Sequence, residues 1–406
     1  MKITLLHYSA PPVVGGVESV MDHHARLMAD DGHQVQVIAG RGRQVDSRIR
    51  FASIPLVDSR HADILSMKEE LDRGRIPVSF ESTVGRIEAL LSEQLMDTDV
   101  LIAHNVCSLN KNLALTAALF NISKQENAPR VILWHHDLAW TTPRYQPELH
   151  EGYPWDLLKT AWEGVTQVTI SDMRQAELAE LMRLDKSSIT VIPNGVDVSK
   201  FLKLEEDTQT YVEKTGVLTA NPLLLLPVRI TTRKNIELAL KVLAQLRKHY
   251  PEAQLVVTGP LGPHNPANLT YFEKLTALRR ELGLGGAAHF LAELTDEYIP
   301  DAVISDFYQL ADALFLPSIE EGFGIPILEA GLAGIPIFCS DIPPLRKLGG
   351  EFGTYFSPQE DPETVCKLIL ERLEGNAVQG MKAYVRANYI WDSIYKMRIA
   401  PLLQAI

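Results

Sequence analysis

The sequence predicts an α/β protein built from two doubly wound domains. Its 406 residues exceed the size at which one hydrophobic core stops growing, about 250–300 residues. Apolar runs of strand length alternate with helical patterns along most of the chain, the signature of parallel sheets covered by helices. The alternation pauses over a polar stretch, residues 203–219, and restarts at Leu223-Leu-Leu-Leu-Pro-Val228. Domains are therefore expected over 1–200 and 201–383, with a closing helix over 384–406.

In the first half, Met1 to Ser9 reads as a buried strand, followed by the glycine turn Gly15-Gly16. A helical pattern with Val20, His24, Leu27 and Met28 on one face closes at Gly32, and Gln34 to Ala39 forms the next strand. Strand, glycine turn, helix and strand open a doubly wound sheet, whose ligands sit at the carboxyl ends of strands. That rule puts Gly15 and Gly16 on a binding edge. Residues 60–96 are mixed and polar and read as helix and loop. Asp99 to Ala103 and Arg130 to Trp134 are strands, with a helix over Asn110 to Phe120 between them. The second of these strands ends in His135-His136-Asp137, where donors to a phosphate or sugar hydroxyl belong. Paired histidines could also hold a metal given a third ligand, but neighbours on an extended chain point opposite ways. The segment 141–153, rich in Pro, Tyr and charge, reads as an irregular ligand-side loop, with Trp140 and Tyr145 as candidate acceptor contacts. Val168 to Ile170, a helix capped by Ser171-Asp172, and Ile189 to Ile192 complete this half, which ends in the turn Pro193-Asn-Gly-Val-Asp197.

In the second half, Leu223 to Val228, Gln254 to Thr258, Ala287 to Leu291 and Ala313 to Leu316 read as strands. Helices are expected over Lys234 to Lys248, Tyr271 to Leu282 and Asp301 to Ala311. The strand before Gly259 again ends at the ligand edge. The last of these strands leads into Ser318-Ile-Glu-Glu-Gly-Phe-Gly-Ile-Pro-Ile-Leu-Glu-Ala330, with another apolar run at Ile335 to Cys339. Gly322 and Gly324 allow close backbone approach around Phe323 and Ile325, and Pro326 suits the first turn of a helix. Free amides at that turn attract phosphate. Two acids flank it, Glu321 in the loop and Glu329 on the helix; because acids repel phosphate, they are better read as acceptors for sugar and ribose hydroxyls. Arg229 and Lys234, at the first strand-to-helix junction of this half, supply cations for a diphosphate.

Composition narrows the class. A hydrophobic share of 46% with 22% charged residues describes a globular chain with a sizeable core. A net charge of −12 and a pI near 5.5 exclude a nucleic-acid binder of the usual basic kind and disfavour broad adhesion to anionic membrane, leaving only local peripheral contact. Cys107, Cys339 and Cys366 are far apart, odd in number and without metal spacing, which fits a reducing cytoplasm. The amino-terminal apolar stretch is too short for a signal segment, and no window reaches the roughly 18 apolar residues of a spanning helix.

The string Glu321-Gly-Phe-Gly-Ile-Pro-Ile-Leu-Glu329 resembles the paired-glutamate signature of the retaining nucleotide-sugar glycosyltransferases of family 4. Arg229 and Lys234-Asn235 resemble that family's Gly-Arg…Lys-Asn element, with Val228 in place of the usual glycine. His136-Asp137 and Pro193 to Asp197 match further family stretches. The resemblance implies the GT-B architecture: two Rossmann-like domains facing across a cleft, with a final helix crossing back to the first. It also implies transfer of a hexose, glucose or mannose, from an NDP-sugar to a hydroxyl acceptor with retention of configuration, no cofactor and no metal. Arg229, Lys234 and His136 would act on the diphosphate and sugar, Glu321 on the transferring sugar and Glu329 on the ribose. Gly15, Gly16, Gly259, Gly322, Phe323, Gly324 and Ile325 would line the donor. Soluble sugars, polyols, glycerate-like acids and lipid-linked sugars are the acceptor classes. An epimerase, a glycoside phosphorylase or a non-catalytic nucleotide-sugar binder of the same fold are the alternatives. Asp97-Thr-Asp99 matches the metal-binding Asp-x-Asp of another transferase fold, but it precedes its strand, at the end away from ligands, and is expected to be structural.

Overall fold

The computed structural model describes residues 1–260 and 266–405. The chain forms two compact units, Met1–Gly195 with Ile394–Ile406, and Val196–Ser393.

The first unit carries seven strands: β1 (Lys2–Leu6), β2 (Gln34–Ala39), β3 (Ile49–Ser53), β4 (Val100–His104), β5 (Arg130–His135), β6 (Thr166–Thr169) and β7 (Ile189–Val191). They pair in parallel in the order β3-β2-β1-β4-β5-β6-β7. The chain winds outward from β1 in one direction, then returns to β4 and winds in the other, so the order reverses between β1 and β4. Leu6 lies opposite Ala103 in that pair, so the loops leaving both strands emerge side by side.

The second unit repeats the scheme with β8 (Leu223–Leu226), β9 (Gln254–Val257), β10 (Ala288–Phe290), β11 (Ala313–Leu316), β12 (Ile337–Ser340) and β13 (Gly353–Phe356). Its parallel order is β10-β9-β8-β11-β12-β13, reversing between β8 and β11. Every residue of β8 and β11 is buried. Helices on both faces of a parallel sheet require such unbroken apolar runs, which is why these strands are plain in the sequence. The edge strands β3 and β13 are not. In β3 only Ile49 is buried and in β13 only Phe356, so neither shows an apolar run, and neither is marked out in the sequence.

The polar stretch 203–219, read as the passage between the domains, is mostly helix, Glu206–Thr215, within the second unit. It is held by Asp306, whose carboxylate accepts the Glu205 N–H at 2.8 Å and the Thr208 hydroxyl at 2.6 Å, and it ends at left-handed Gly216. The closing segment is not one helix. Helix Ala377–Tyr389 belongs to the second unit, Ile390 is extended, and helical turns resume at Trp391. The break arises because the Tyr389 carbonyl accepts the Val196 N–H at 2.7 Å and so leaves the helical ladder. Beyond it, the Tyr395 hydroxyl bonds Asp31 and the Arg398 guanidinium bonds the Val191 carbonyl, both within the first unit. No helix among the described residues is long and apolar enough to cross a membrane.

Candidate active site

In the second unit the predicted residues gather where β8 and β11 end. After β8 the chain passes through Val228, buried in the core, to exposed Arg229. The valine found in place of the family's glycine is thus absorbed by the core, and Arg229 still faces outward. Gly259, just past β9, is required by this loop: a Cβ there would lie 2.0 Å from the Val228 carbonyl oxygen and 2.5 Å from the Arg229 nitrogen. Its role is to let β9 pack against the loop that presents Arg229.

The turn Thr232–Lys234 leads to Asn235, which is left-handed at φ 51° and starts the helix Ile236–Leu246. The Asn235 amide donates to the carbonyls of Pro317 at 3.1 Å and Pro358 at 2.9 Å, and the Arg233 carbonyl accepts the Ile319 N–H at 2.8 Å. The loops after β8, β11 and β13 are therefore tied together before any ligand arrives. Within this frame the Lys234 ammonium donates to Glu321 Oε1 at 2.5 Å, and the buried Ser318 hydroxyl donates to the same oxygen at 2.8 Å. Both side chains of the ion pair are about nine-tenths buried, at 10% and 9% exposure. Two residues expected on separate grounds thus hold each other.

Beyond Glu321, Gly324 adopts φ 105°, open to glycine, and starts the helix Ile325–Ala333, which no side chain caps. Gly322 is open, and Phe323 and Ile325, each 57% exposed, flank the helix start. Glu329 lies on the helix, where Tyr308 donates to its carboxylate at 2.7 Å. Burial first, then this hydrogen bond to a carboxylate, push the Tyr308 hydroxyl pKa up, so the tyrosine stays a donor that orients Glu329.

In the first unit the corresponding edge is dominated by histidines and amides. Asn105, left-handed at φ 58°, follows β4, and its side-chain oxygen accepts the N–H groups of His136 at 3.0 Å and Asp137 at 2.9 Å. This fixes the turn that carries His136. As expected from strand alternation, the two histidines diverge: His135 bonds Gln167 at 2.7 Å, while His136 Nε2 meets His104 Nδ1 at 3.4 Å. Burial pushes the His136 pKa down to about 3, with His7 and His135 adding to it. His136 is therefore a neutral imidazole that can hydrogen-bond but not deliver a standing positive charge. Gly16 is open at the start of the helix Gly16–Asp30, and Gly15 is its extended cap.

Trp140 and Tyr145 both pack against the first core. The Trp140 indole N–H donates to the Trp155 carbonyl at 3.3 Å, and Lys159 sits 4.0 Å above its ring. The Arg144 guanidinium donates to the Tyr145 hydroxyl at 3.0 Å. Asp97 and Asp99 anchor the amino end of β1: Asp99 accepts the Lys2 N–H at 2.7 Å, and Asp97 pairs with the Lys2 ammonium at 3.5 Å. No group of three or more His, Cys, Asp or Glu among the described residues is arranged to hold a metal ion. Sequence reasoning overlooked Asn105, Ser318, Tyr308, His7 and Glu18. Only the last two had a signal, a histidine just past a strand end and an acid in the first turn of a helix.

A family model described as Glycosyltransferase Family 4 matches residues 14–200, and one described as Glycosyl transferases group 1 matches residues 207–388. The chain is 28% identical over 370 residues to a "Mannosylglucosylglycerate synthase" of Petrotoga mobilis, covering 86% of this chain and 84% of the relative. It is 26% identical over 384 residues to the protein of the same name from Thermotoga maritima, covering 85% and 83%. An "MMP alpha-(1->4)-mannosyltransferase" of Mycolicibacterium hassiacum is 26% identical over 438 residues, covering 100% of this chain and 98% of the relative. With the two models matching one half each, the two reversing sheets and the paired glutamates at the second switch point, the chain belongs to the family 4 glycosyltransferases of GT-B fold.

Proposed function

We propose that this glycosyltransferase moves a hexose, glucose or mannose, from a nucleoside diphosphate sugar to an acceptor hydroxyl with retention of configuration and without a divalent metal. The observation that carries the reading is the convergence of Arg229, the Lys234–Glu321 pair and the uncapped start of helix Ile325–Ala333 on one strand-end edge. Cations and backbone amides preset at that point would stabilise the diphosphate as its negative charge develops. Lys234 would turn from Glu321 to the diphosphate, leaving Glu321 to accept hydroxyls of the transferring sugar, while Glu329, steadied by Tyr308, takes the ribose. The anomeric carbon–phosphate oxygen bond breaks as the acceptor oxygen bonds to that carbon from the same face, and the acceptor proton passes to the leaving phosphate. Neutral His136 would serve as a hydrogen-bond partner to the sugar.

The names of the relatives favour mannose as the sugar and a glycerate-containing or oligosaccharide acceptor. Three buried, unpaired cysteines accord with a cytoplasmic site of action. The test is a matrix of UDP-, GDP- and ADP-glucose and GDP-mannose against glycerate, glucosylglycerate, free hexoses and polyols, with the product's anomeric configuration read by NMR. Transfer with the donor's configuration kept is expected. An inverted product, interconversion of donor alone, or phosphate-dependent disaccharide cleavage would overturn it.

A further inference from the structure

The first unit contains a second polar constellation that the donor chemistry leaves unused. His7 follows β1, and its side chain is nine-tenths buried, with 7% exposure. Its Nδ1 lies 2.7 Å from the His104 carbonyl oxygen. A carbonyl can only accept, so Nδ1 carries the ring proton. Burial holds the ring neutral, its pKa pushed down to about 4 despite the nearby Glu18 carboxylate, with the Lys111 charge acting in the same direction as burial. The Nε2 atom is therefore a lone pair.

That lone pair faces Glu18 Oε1 at 3.9 Å, too far for a hydrogen bond. Glu18 cannot easily swing away. The Ser9 hydroxyl donates to Oε1 at 2.6 Å, and the carboxylate folds back over Gly15, where a Cβ would lie 2.1 Å from Oε2. Two hydrogen-bond acceptors are thus fixed 3.9 Å apart on the edge where β1 and β4 diverge, and only donors presented to both can satisfy them. The negative charge of Glu18 repels phosphate and carboxylate. Two neighbouring hydroxyls, each giving one proton to one of the two atoms, match the pair.

We propose that His7 and Glu18 bind a vicinal diol of the acceptor, a sugar or polyol, each taking one hydroxyl proton. This rests on the glycosyl-transfer reading above and names the acceptor chemistry of the first unit. His7 and Glu18 are binding residues here, and Ser9 and Gly15 position Glu18.

The test uses the full-length enzyme, the best acceptor found in the matrix above, and the matched acceptor lacking one hydroxyl of the diol. His7→Asn keeps a donor for the His104 carbonyl but removes the Nε2 acceptor. Glu18→Gln removes the carboxylate charge: its amide oxygen can keep the Ser9 bond, or its NH2 can turn to His7 Nε2 with the Ser9 hydroxyl becoming the acceptor, and in either case one charged acceptor for the diol is lost. Each variant should raise the acceptor KM about tenfold or more, the scale of losing a hydrogen bond at a charged or buried partner, while the nucleotide diphosphate Kd stays within about twofold. At least one deoxy acceptor should suffer a similar loss with the wild type and little further loss with one of the variants. If KM for the acceptor is unchanged while donor affinity or donor KM worsens, the hydroxyls belong to the donor's hexose and the proposal is overturned. Unchanged acceptor and donor constants, or additive losses with every deoxy acceptor, overturn it as a structural role would. If the wild type transfers to no hydroxyl acceptor, the transfer reading itself falls, which is a separate outcome.

Discussion

The two units share one winding scheme and present opposite chemistry at the point where it reverses. The second places Arg229, Lys234, Glu321 and Glu329 there, a charged and cross-linked edge. The first places His7, His104, Asn105 and His136 there, uncharged and deeply buried, with Glu18 and the Asp137–Arg174 pair as charged groups beside them. Strand order places both candidate sites at switch points, and the loop residues distinguish them: the function proposed above puts a diphosphate on the second edge and acceptor hydroxyls on the first.

The largest expected contrast is in acid. Burial pushes the pKa values of His7 and His135 down to about 4 and of His24 and His136 to about 3, and that of His104 well below its ordinary value. The second unit has one such group among its described residues, His289, at about 4. Each folded value lies below the unfolded one near 6.5, so between those limits the unfolded chain binds protons that the native chain does not. Stability is therefore fully present above pH 6.5 and falls as pH drops through this window, by about 1.4 kcal/mol per group for each pH unit as an upper scale. Trp134, Trp140, Trp155 and Trp162 lie in the first unit and Trp391 alone in the second. Tryptophan fluorescence should thus change near pH 5, before the bulk of the helical circular dichroism is lost. Coincident transitions at much lower pH would remove the contrast.

The next contrast lies in the Lys234–Glu321 pair. Glu321→Gln should lower turnover by roughly 2–4 kcal/mol, since its bonds to the sugar tighten as charge develops. The same change frees Lys234, so nucleotide diphosphate should bind as well as before or more tightly. Unchanged turnover in the folded variant would remove Glu321 from the site. Lys234→Ala leaves a buried carboxylate unpaired and should cost about 3 kcal/mol of stability, read by denaturant unfolding. A cost near zero would mean the pair is not formed in solution.

The same contrast governs what could be read from the sequence. The second site was legible because its glycines, acids and Pro326 lie within one short stretch, and because β8 and β11 are unbroken apolar runs. The contact between Lys234 and Glu321 was not, since the two residues are 87 positions apart and meet only through the adjacency of β8 and β11. The first site is scattered over the ends of β1, β4 and β5. His136 stood out beside its neighbour, but Asn105 acts through a left-handed turn, and the His7 tautomer is set by a backbone carbonyl 97 residues away. Edge strands β3 and β13 and the helix Glu206–Thr215 bury too few side chains to show a period. Gly259 lies just past β9, and the constraint visible there is the neighbouring Val228–Arg229 backbone.

The proposed assignment of the donor diphosphate to the second edge is tested most directly by titrating the enzyme with nucleoside diphosphate in excess EDTA, wild type beside Lys234→Ala. Binding should survive chelation in the wild type and weaken about tenfold to a hundredfold in the variant, the scale of a lost charge-assisted hydrogen bond. Binding abolished by EDTA and restored by manganese, or equal in the two proteins, would contradict it.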